Sequence, residues 1–201
     1  FNEEGKHLLG NKFAQFVKGT AEVRYNYKIG HNQHLVGRMM AGAIYSYGNA
    51  RISPYNEQFY IGGANSLRAF TIRSIGPGRY HPEENNTYSY LDQTGDLKFE
   101  ANLEYRFPIL GDLHGAAFID TGNIWLIRND DQRPGGQLKW GRFLKDLALD
   151  AGVGLRYDLT FIVIRLDMGI PLHVPYETDK NGYFNVPKYT PGWHLAIGYP
   201  F

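Results

Sequence analysis

At 201 residues with 43% apolar side chains, the chain is long enough for one domain with a sizeable core and too apolar for a disordered tail. A formal charge of +1, with Lys and Arg scattered singly, excludes a nucleic-acid partner, and the lack of cysteine excludes a disulfide framework, Cys-ligated zinc and a thiol nucleophile. The mean hydropathy of -0.41, without any apolar run of about 18 residues, excludes a membrane-spanning helix but not a membrane barrel, whose alternating strands average out as polar.

The 15 Tyr, 12 Phe and 24 Gly suit strands, turns and interfacial aromatic belts. Phe1 is followed by neither a basic leader nor an apolar signal core, so the chain reads as a mature product or a piece of a longer one. Over residues 12–29 the odd positions include Phe13, Val17, Val23, Tyr25, Tyr27 and Ile29, and the even ones include Lys18, Glu22, Arg24 and Lys28. This period of two predicts a strand with one apolar face. After a turn at 30–33, residues 34–47 alternate less cleanly, and Gly37 and Gly42 either weaken the strand or mark close approach.

Residues 49–95 form a connection too long to be structureless inside a compact domain unless it has a function. Alternation resumes over 96–109, where Leu97, Phe99, Leu103, Tyr105 and Phe107 oppose Lys98, Glu100, Asn102, Glu104 and Arg106. Residues 113–125 place His114, Phe118 and Asp120 on one face and Ala117, Ile119 and Trp125 on the other. Residues 147–159 set Leu149, Val153, Leu155 and Tyr157 against Asp150, Arg156 and Asp158, and 161–172 set Ile164, Leu166 and Met168 against Arg165 and Asp167. The last segment, 193–201, alternates Trp193, Leu195, Ile197, Tyr199 and Phe201 with His194, Ala196, Gly198 and Pro200.

These segments predict an all-β, antiparallel architecture of seven strands. Their connections run short, long, short, long, short, long, which is the asymmetry of an outer-membrane barrel with its short turns in the periplasm. A water-facing sandwich would turn the charged rows outward, whereas a membrane barrel puts the apolar rows against lipid and the charges in the lumen. Alternation alone does not separate the two; strand length, aromatic ends and loop asymmetry favour the transmembrane barrel. With a periplasmic C-terminus, counting back seven strands leaves residues 1–11 on the extracellular side. A bacterial barrel closes with an even number of strands, so further strands are expected upstream of Phe1.

The stretch Gly62-Gly63-Ala64-Asn65-Ser66-Leu67-Arg68-Ala69-Phe70 resembles the Gly-Gly, then Ser-Val-Arg-Gly-Phe/Tyr motif of the outer-membrane protein assembly factor superfamily, the BamA/TamA-like proteins and two-partner secretion transporters. Phe118-Ile119-Asp120-Thr121-Gly122 is similar to its Phe-x-Asp-x-Gly strand motif. The resemblance runs from about Phe13 to Phe201 and is nearest to Bacteroidetes-type members. It departs at Leu67, a mild change, and at Ala69, where the family usually has Gly; a positive φ or close backbone approach there would cost Ala about 1 kcal/mol.

The resemblance implies that residues 1–201 are the C-terminal part of a sixteen-strand barrel, these strands being the last seven, preceded by periplasmic POTRA domains. It also implies that the 49–95 loop returns into the lumen and that Arg68 pairs with Asp120 on the inner wall. A guanidinium suits that task because it stays charged and grips a carboxylate with two parallel N–H groups. The bland alternatives are a solvated Arg68 and an Asp120 that is one more lumen carboxylate. Glu100, Glu104 and Arg106 are candidates for supporting contacts.

The terminal strand, with Trp193, Tyr199 and Phe201, resembles the C-terminal signal by which outer-membrane proteins are recognised. Gly198 and Pro200 either weaken a seam that opens toward client proteins or let an ordinary strand end fray. Enzymatic readings find little support: the seven His lack metal-site spacing, and Ser66 has no identifiable His partner. Glu83-Glu84 and Asp130-Asp131 are weak Ca²⁺ candidates, and Asn85-Asn86-Thr87 matches a glycosylation sequon of no expected consequence.

No cofactor or metal is expected. The implied function is assembly or insertion of client outer-membrane β-barrel proteins by strand pairing at a lateral seam, with outer-membrane lipids, clients and accessory subunits as partners. A passive channel or transporter is the alternative, and an outer-membrane hydrolase stands as a third class.

Overall fold

The computed structural model describes residues 7–8, 11–82, 93–180 and 182–201. Seven antiparallel strands form one sheet in sequence order: β1 (Gln15–Gly30), β2 (Gln33–Tyr47), β3 (Leu97–Leu110), β4 (Leu113–Trp125), β5 (Ala148–Asp158), β6 (Val163–His173) and β7 (Gly192–Ile197). A separate two-stranded ribbon joins 7–8 to 11–12. Among the described residues β1 and β7 are each paired on one side only, so the sheet is an open arc.

The alternation that makes these segments strands also sorts their side chains. Val23, Tyr25, Met39, Leu103, Ile119 and Val153 stand exposed on the outer face, while Glu100, Glu104, Asp120, Asp150, Arg156 and Asp167 have no exposed surface on the inner one. A water-soluble sheet would reverse this, because apolar surface is driven out of water and buried charge needs partners. The arrangement is that of a β-barrel wall, with its charged rows inside and its apolar rows outside.

The short connections at 31–32, 111–112 and 159–162 lie on one rim, and each carries a left-handed residue (Asn32, Gly111 and Thr160) that tightens the turn. The long ones, 48–96, 126–147 and 174–191, lie on the other. The first folds inward, and Ile61, Leu67, Phe70 and Ile75 pack there with Ile44, Ile124 and Ala148 from the strands and Val174 just beyond β6. The apolar core of this chain is therefore loop against inner wall, near the long-loop rim.

The last strand departs from its alternation pattern. It ends at Ile197, because Gly198 adopts φ +82° and turns the chain out of the ladder. Trp193, Leu195 and Ile197 face outward, whereas Tyr199 and Phe201 reach the lumenal side, where the carbonyl oxygen of Phe201 accepts from Arg106 at 3.3 Å. At six residues β7 is also shorter than the 11 of β6. The first strand begins at Gln15 instead of residue 12. Glu83-Glu84 and the 85–87 sequon lie outside the described residues.

Candidate functional site

The loop at 61–73 is built by its glycines. Gly62 and Gly63 take φ of +101° and +94°, and a β-carbon on Gly62 would lie 2.1 Å from the Thr71 carbonyl oxygen. That conformation lets the chain double back, with Gly63 N–H donating to Phe70 O at 2.8 Å and Arg73 N–H to Ile61 O at 2.9 Å. Ser66 Oγ closes the turn from inside, accepting from Gly62 N–H at 3.1 Å and donating to Glu100 Oε2 at 3.0 Å. Leu67 and Phe70 point into the apolar cluster, and Arg68, between them, points at the wall.

Arg68 has no exposed surface. Its Nε donates to Asp120 Oδ2 at 2.7 Å and its Nη2 to Asp120 Oδ1 at 2.9 Å, a two-pronged contact, and its backbone N–H adds a third bond to Oδ2 at 3.3 Å. Nη1 bonds Glu104 and lies 3.9 Å from Asp167 Oδ2. The guanidinium carbon sits 3.4 Å from the centre of the Phe118 ring, so the plane of the cation lies against an aromatic face. Asn102 Nδ2 ties the assembly together, donating to Asp120 Oδ1 at 2.9 Å and to Ser66 O at 3.0 Å.

Around this centre, charges alternate in sign. Arg156 bridges Glu104 (3.1 Å) and Asp167 (2.5 Å), Arg106 holds the other Glu104 oxygen at 2.7 Å, and Arg165 donates to Asp167 at 3.0 Å and to the loop carbonyl of Ala64 at 2.9 Å. Arg38 pairs with Glu100 and donates to Asn65 O at 3.0 Å. Groups from β2, β3, β4 and β6 thus converge on one loop, and β5 joins them through Asp150, whose Oδ2 accepts from Ala69 N–H at 3.2 Å.

The close approach falls on the wall. The left-handed residues here are Gly62, Gly63 and Arg73, not Ala69. A β-carbon on Gly169 would lie 2.8 Å from Ala69 N, and one on Gly192 would lie 3.0 Å from Arg68 O, so glycines of β6 and β7 make room for the loop backbone. This is why alanine fits at position 69.

A family profile described as the Omp85 superfamily domain matches residues 2–201. The chain belongs to the Omp85 superfamily. It is 30% identical over 174 residues to the outer membrane protein assembly factor BamA of Nitratidesulfovibrio vulgaris, an alignment spanning 86% of this chain and 20% of that protein. The chain therefore covers about one fifth of this curated relative. The crystal structure of BamA from Haemophilus ducreyi lacking POTRA domains 1–3 superposes with a TM-score of 0.58 over 91% of this chain and 35% of that one; at 17% identity this likeness concerns the fold.

Within this Omp85 chain, the structure places the two sequence motifs against each other: Arg68, Ser66 and the Gly62-Gly63 turn from one, Phe118 and Asp120 from the other. Gly122 lies beneath the same loop; a β-carbon there would lie 2.6 Å from the Phe99 carbonyl oxygen and 2.8 Å from Ile61 Cδ1. Glu104 contacts Arg68 directly, Glu100 serves Ser66 and Arg38, and Arg106 acts through Glu104. Sequence reasoning did not single out Asn102, Arg156, Arg165, Asp167, Gly169 or Gly192. Their signal was present in part, since all but Gly192 lie on the polar rows of the predicted strands, and Gly192, which faces inward opposite Gly169, falls just before the last of those strands.

Among the described residues no group of three or more His, Asp or Glu is placed to hold a metal ion. Asp130 is held by Arg133 at 2.8 Å, and that guanidinium keeps its carboxyl below the usual carboxylate range. His173 is used structurally, with Nε2 2.9 Å from Lys145 O.

Proposed function

We propose that this chain is the C-terminal part of the barrel of an outer-membrane protein assembly factor, with its C-terminus in the periplasm, and that it acts without catalysis by offering strand β7 as a template for client β-strands. Outer-membrane protein assembly at the family level is what Omp85 membership supports. The observation that carries the finer reading is the contrast between a rigid wall and a weak edge.

Arg68 and its loop serve as an anchor, drawing β2 to β6 onto one buried charge network. Breaking one member of such a network leaves uncompensated buried charge, so the wall resists local opening. Strand β7 lies beyond it. Its ladder to β6 covers only Gly192 to Ile197, and Gly198 ends it. Exposed strand edges are strong templates for strand addition, and main-chain hydrogen bonds supply affinity without a nucleotide. The loop fills the lumenal side of this wall, which favours the assembly reading over a passive channel.

Depletion of the full-length protein tests the proposal. The expected result is a fall in the folded amounts of several unrelated outer-membrane β-barrel proteins. Loss of a single solute flux, with those proteins assembled normally, refutes it.

A further inference from the structure

The connection between β4 and β5 holds a feature that neither the loop clamp nor the seam uses. Residues 140–146 fold into a 3₁₀ turn (Trp140–Arg142) and one helical turn (Phe143–Asp146). They lie on the outside of the barrel wall. The Phe143 ring packs against Phe99 at 5.3 Å and Trp125 at 5.5 Å, both on the outward, lipid-facing row. The segment is fixed from behind, because Asn123 donates to the carbonyl of Asp146 and His173 Nε2 meets that of Lys145.

Trp140 and Leu144 project from it with 80% and 72% of their surface exposed, larger than a soluble rim would normally leave bare. Lys139, Arg142 and Lys145 alternate with them, all exposed. Lys139 and Lys145 form no ion pair among the described residues, and Arg142 reaches Asp146 only at 3.6 Å. Next to the segment a cleft of about 550 Å³ is lined by Arg142, Lys145, Lys180 and Arg79, and its one carboxylate, Glu177, is paired with Arg79.

We propose that this segment is a binding site for the headgroup of a net-anionic, phosphate-bearing membrane lipid. Trp140 and Leu144 enter the acyl boundary, while Lys139, Arg142 and Lys145 contact the phosphate oxygens. The occupant follows from two features: the patch continues the lipid-facing surface of the wall, so what lies against it is lipid, and its exposed charge is positive, because Asp146, the segment's one acid, is buried beneath it and Glu177 is paired with Arg79. Trp at the headgroup level and Lys or Arg stems reaching outward from apolar surface are the side-chain types such a boundary selects. Assigning the site to the outer leaflet rests on the orientation proposed above; the binding chemistry does not.

Native mass spectrometry of the full-length protein in detergent, titrated with bisphosphorylated lipid A, phosphatidylglycerol or phosphatidylcholine, tests the site. The two anionic lipids are expected to bind and phosphatidylcholine is not. The variant carrying Lys139→Gln, Arg142→Gln and Lys145→Gln is expected to weaken the anionic lipids on the order of ten-fold or more. These side chains are exposed, and an unchanged thermal transition checks that the variant folds. Equal binding of phosphatidylcholine, an unaltered triple variant, or full competition by inorganic phosphate would each overturn the proposal. Labelling of Gly141→Cys by an impermeant maleimide on intact cells reads orientation separately, so failure there leaves the lipid result standing.

Discussion

Arg68 is held by carboxylates from several strands, and that changes what a charge swap can achieve. Truncation to Ala leaves Asp120 and Glu104 buried with lost partners, and is expected to cost about 3–5 kcal/mol, read as a lower thermal midpoint of the full-length protein. Arg68→Glu with Asp120→Arg places the new carboxylate beside Glu104, so the double variant is expected to recover only a small part of the loss. Full recovery would mean that Glu104 carries little of the interaction. Asp150 differs in kind. It sits opposite Asp120 in the ladder, its Oδ1 buried with no hydrogen-bond partner. Asp150→Asn keeps an acceptor for Ala69 N–H and removes one of two opposed charges, so it is expected to be neutral or mildly stabilising where Asp120→Asn is strongly destabilising. The contact between Arg68 and Asp120 was legible because both residues lie in motifs that resemble those of the assembly-factor superfamily, and that resemblance implies the pairing. The wall glycines were not, because a glycine within an alternating row looks the same whether it relieves a steric contact or only weakens a strand. Gly169→Ala, whose β-carbon would meet the loop backbone, is expected to loosen residues 62–70 to proteolysis, while Gly19→Ala, with open space around it, should not.

At the level of elements, the strands were legible because the burial period of a barrel wall is written directly in alternation, and the long-loop rim was legible from turn lengths. The end of β7 was not. Continuing its pattern to Phe201 treats Gly198 as one more small inward residue, whereas its φ of +82° redirects the chain and carries Phe201 to within 5.9 Å of Arg38, Arg68 and Arg106. Periodicity reports which face a side chain takes while the backbone stays extended, and a single left-handed residue resets it. Gly198→Val disfavours that turn by about 1–2 kcal/mol. A cysteine placed at Phe201 is then expected to react faster with a soluble maleimide than in the parent background; an unchanged rate would show that the tail is held by its arginine contacts and not by the turn.

For the whole molecule, the wall divides into a clamped body and a lightly paired edge. Strands β2 to β6 share one lumenal charge network beneath one loop, and β7 is joined to them by a short ladder, the glycine contacts at 169 and 192, and the tail after Gly198, where Phe201 rests on the network's arginines. That division is what the proposed insertion role requires, since a template strand must exchange partners while the barrel around it persists. The most direct measurement is site-specific disulfide trapping in the full-length protein, with cysteines placed in turn along β3, β5 and β7, against a client carrying a cysteine ladder in its last strand and arrested during assembly. If β7 is the template, cross-links form at its Leu195 and Ile197, with an alternating register in the client, and none form at Leu103 or Val153. Cross-links spread evenly over the three strands, or confined to β3 and β5, would contradict it.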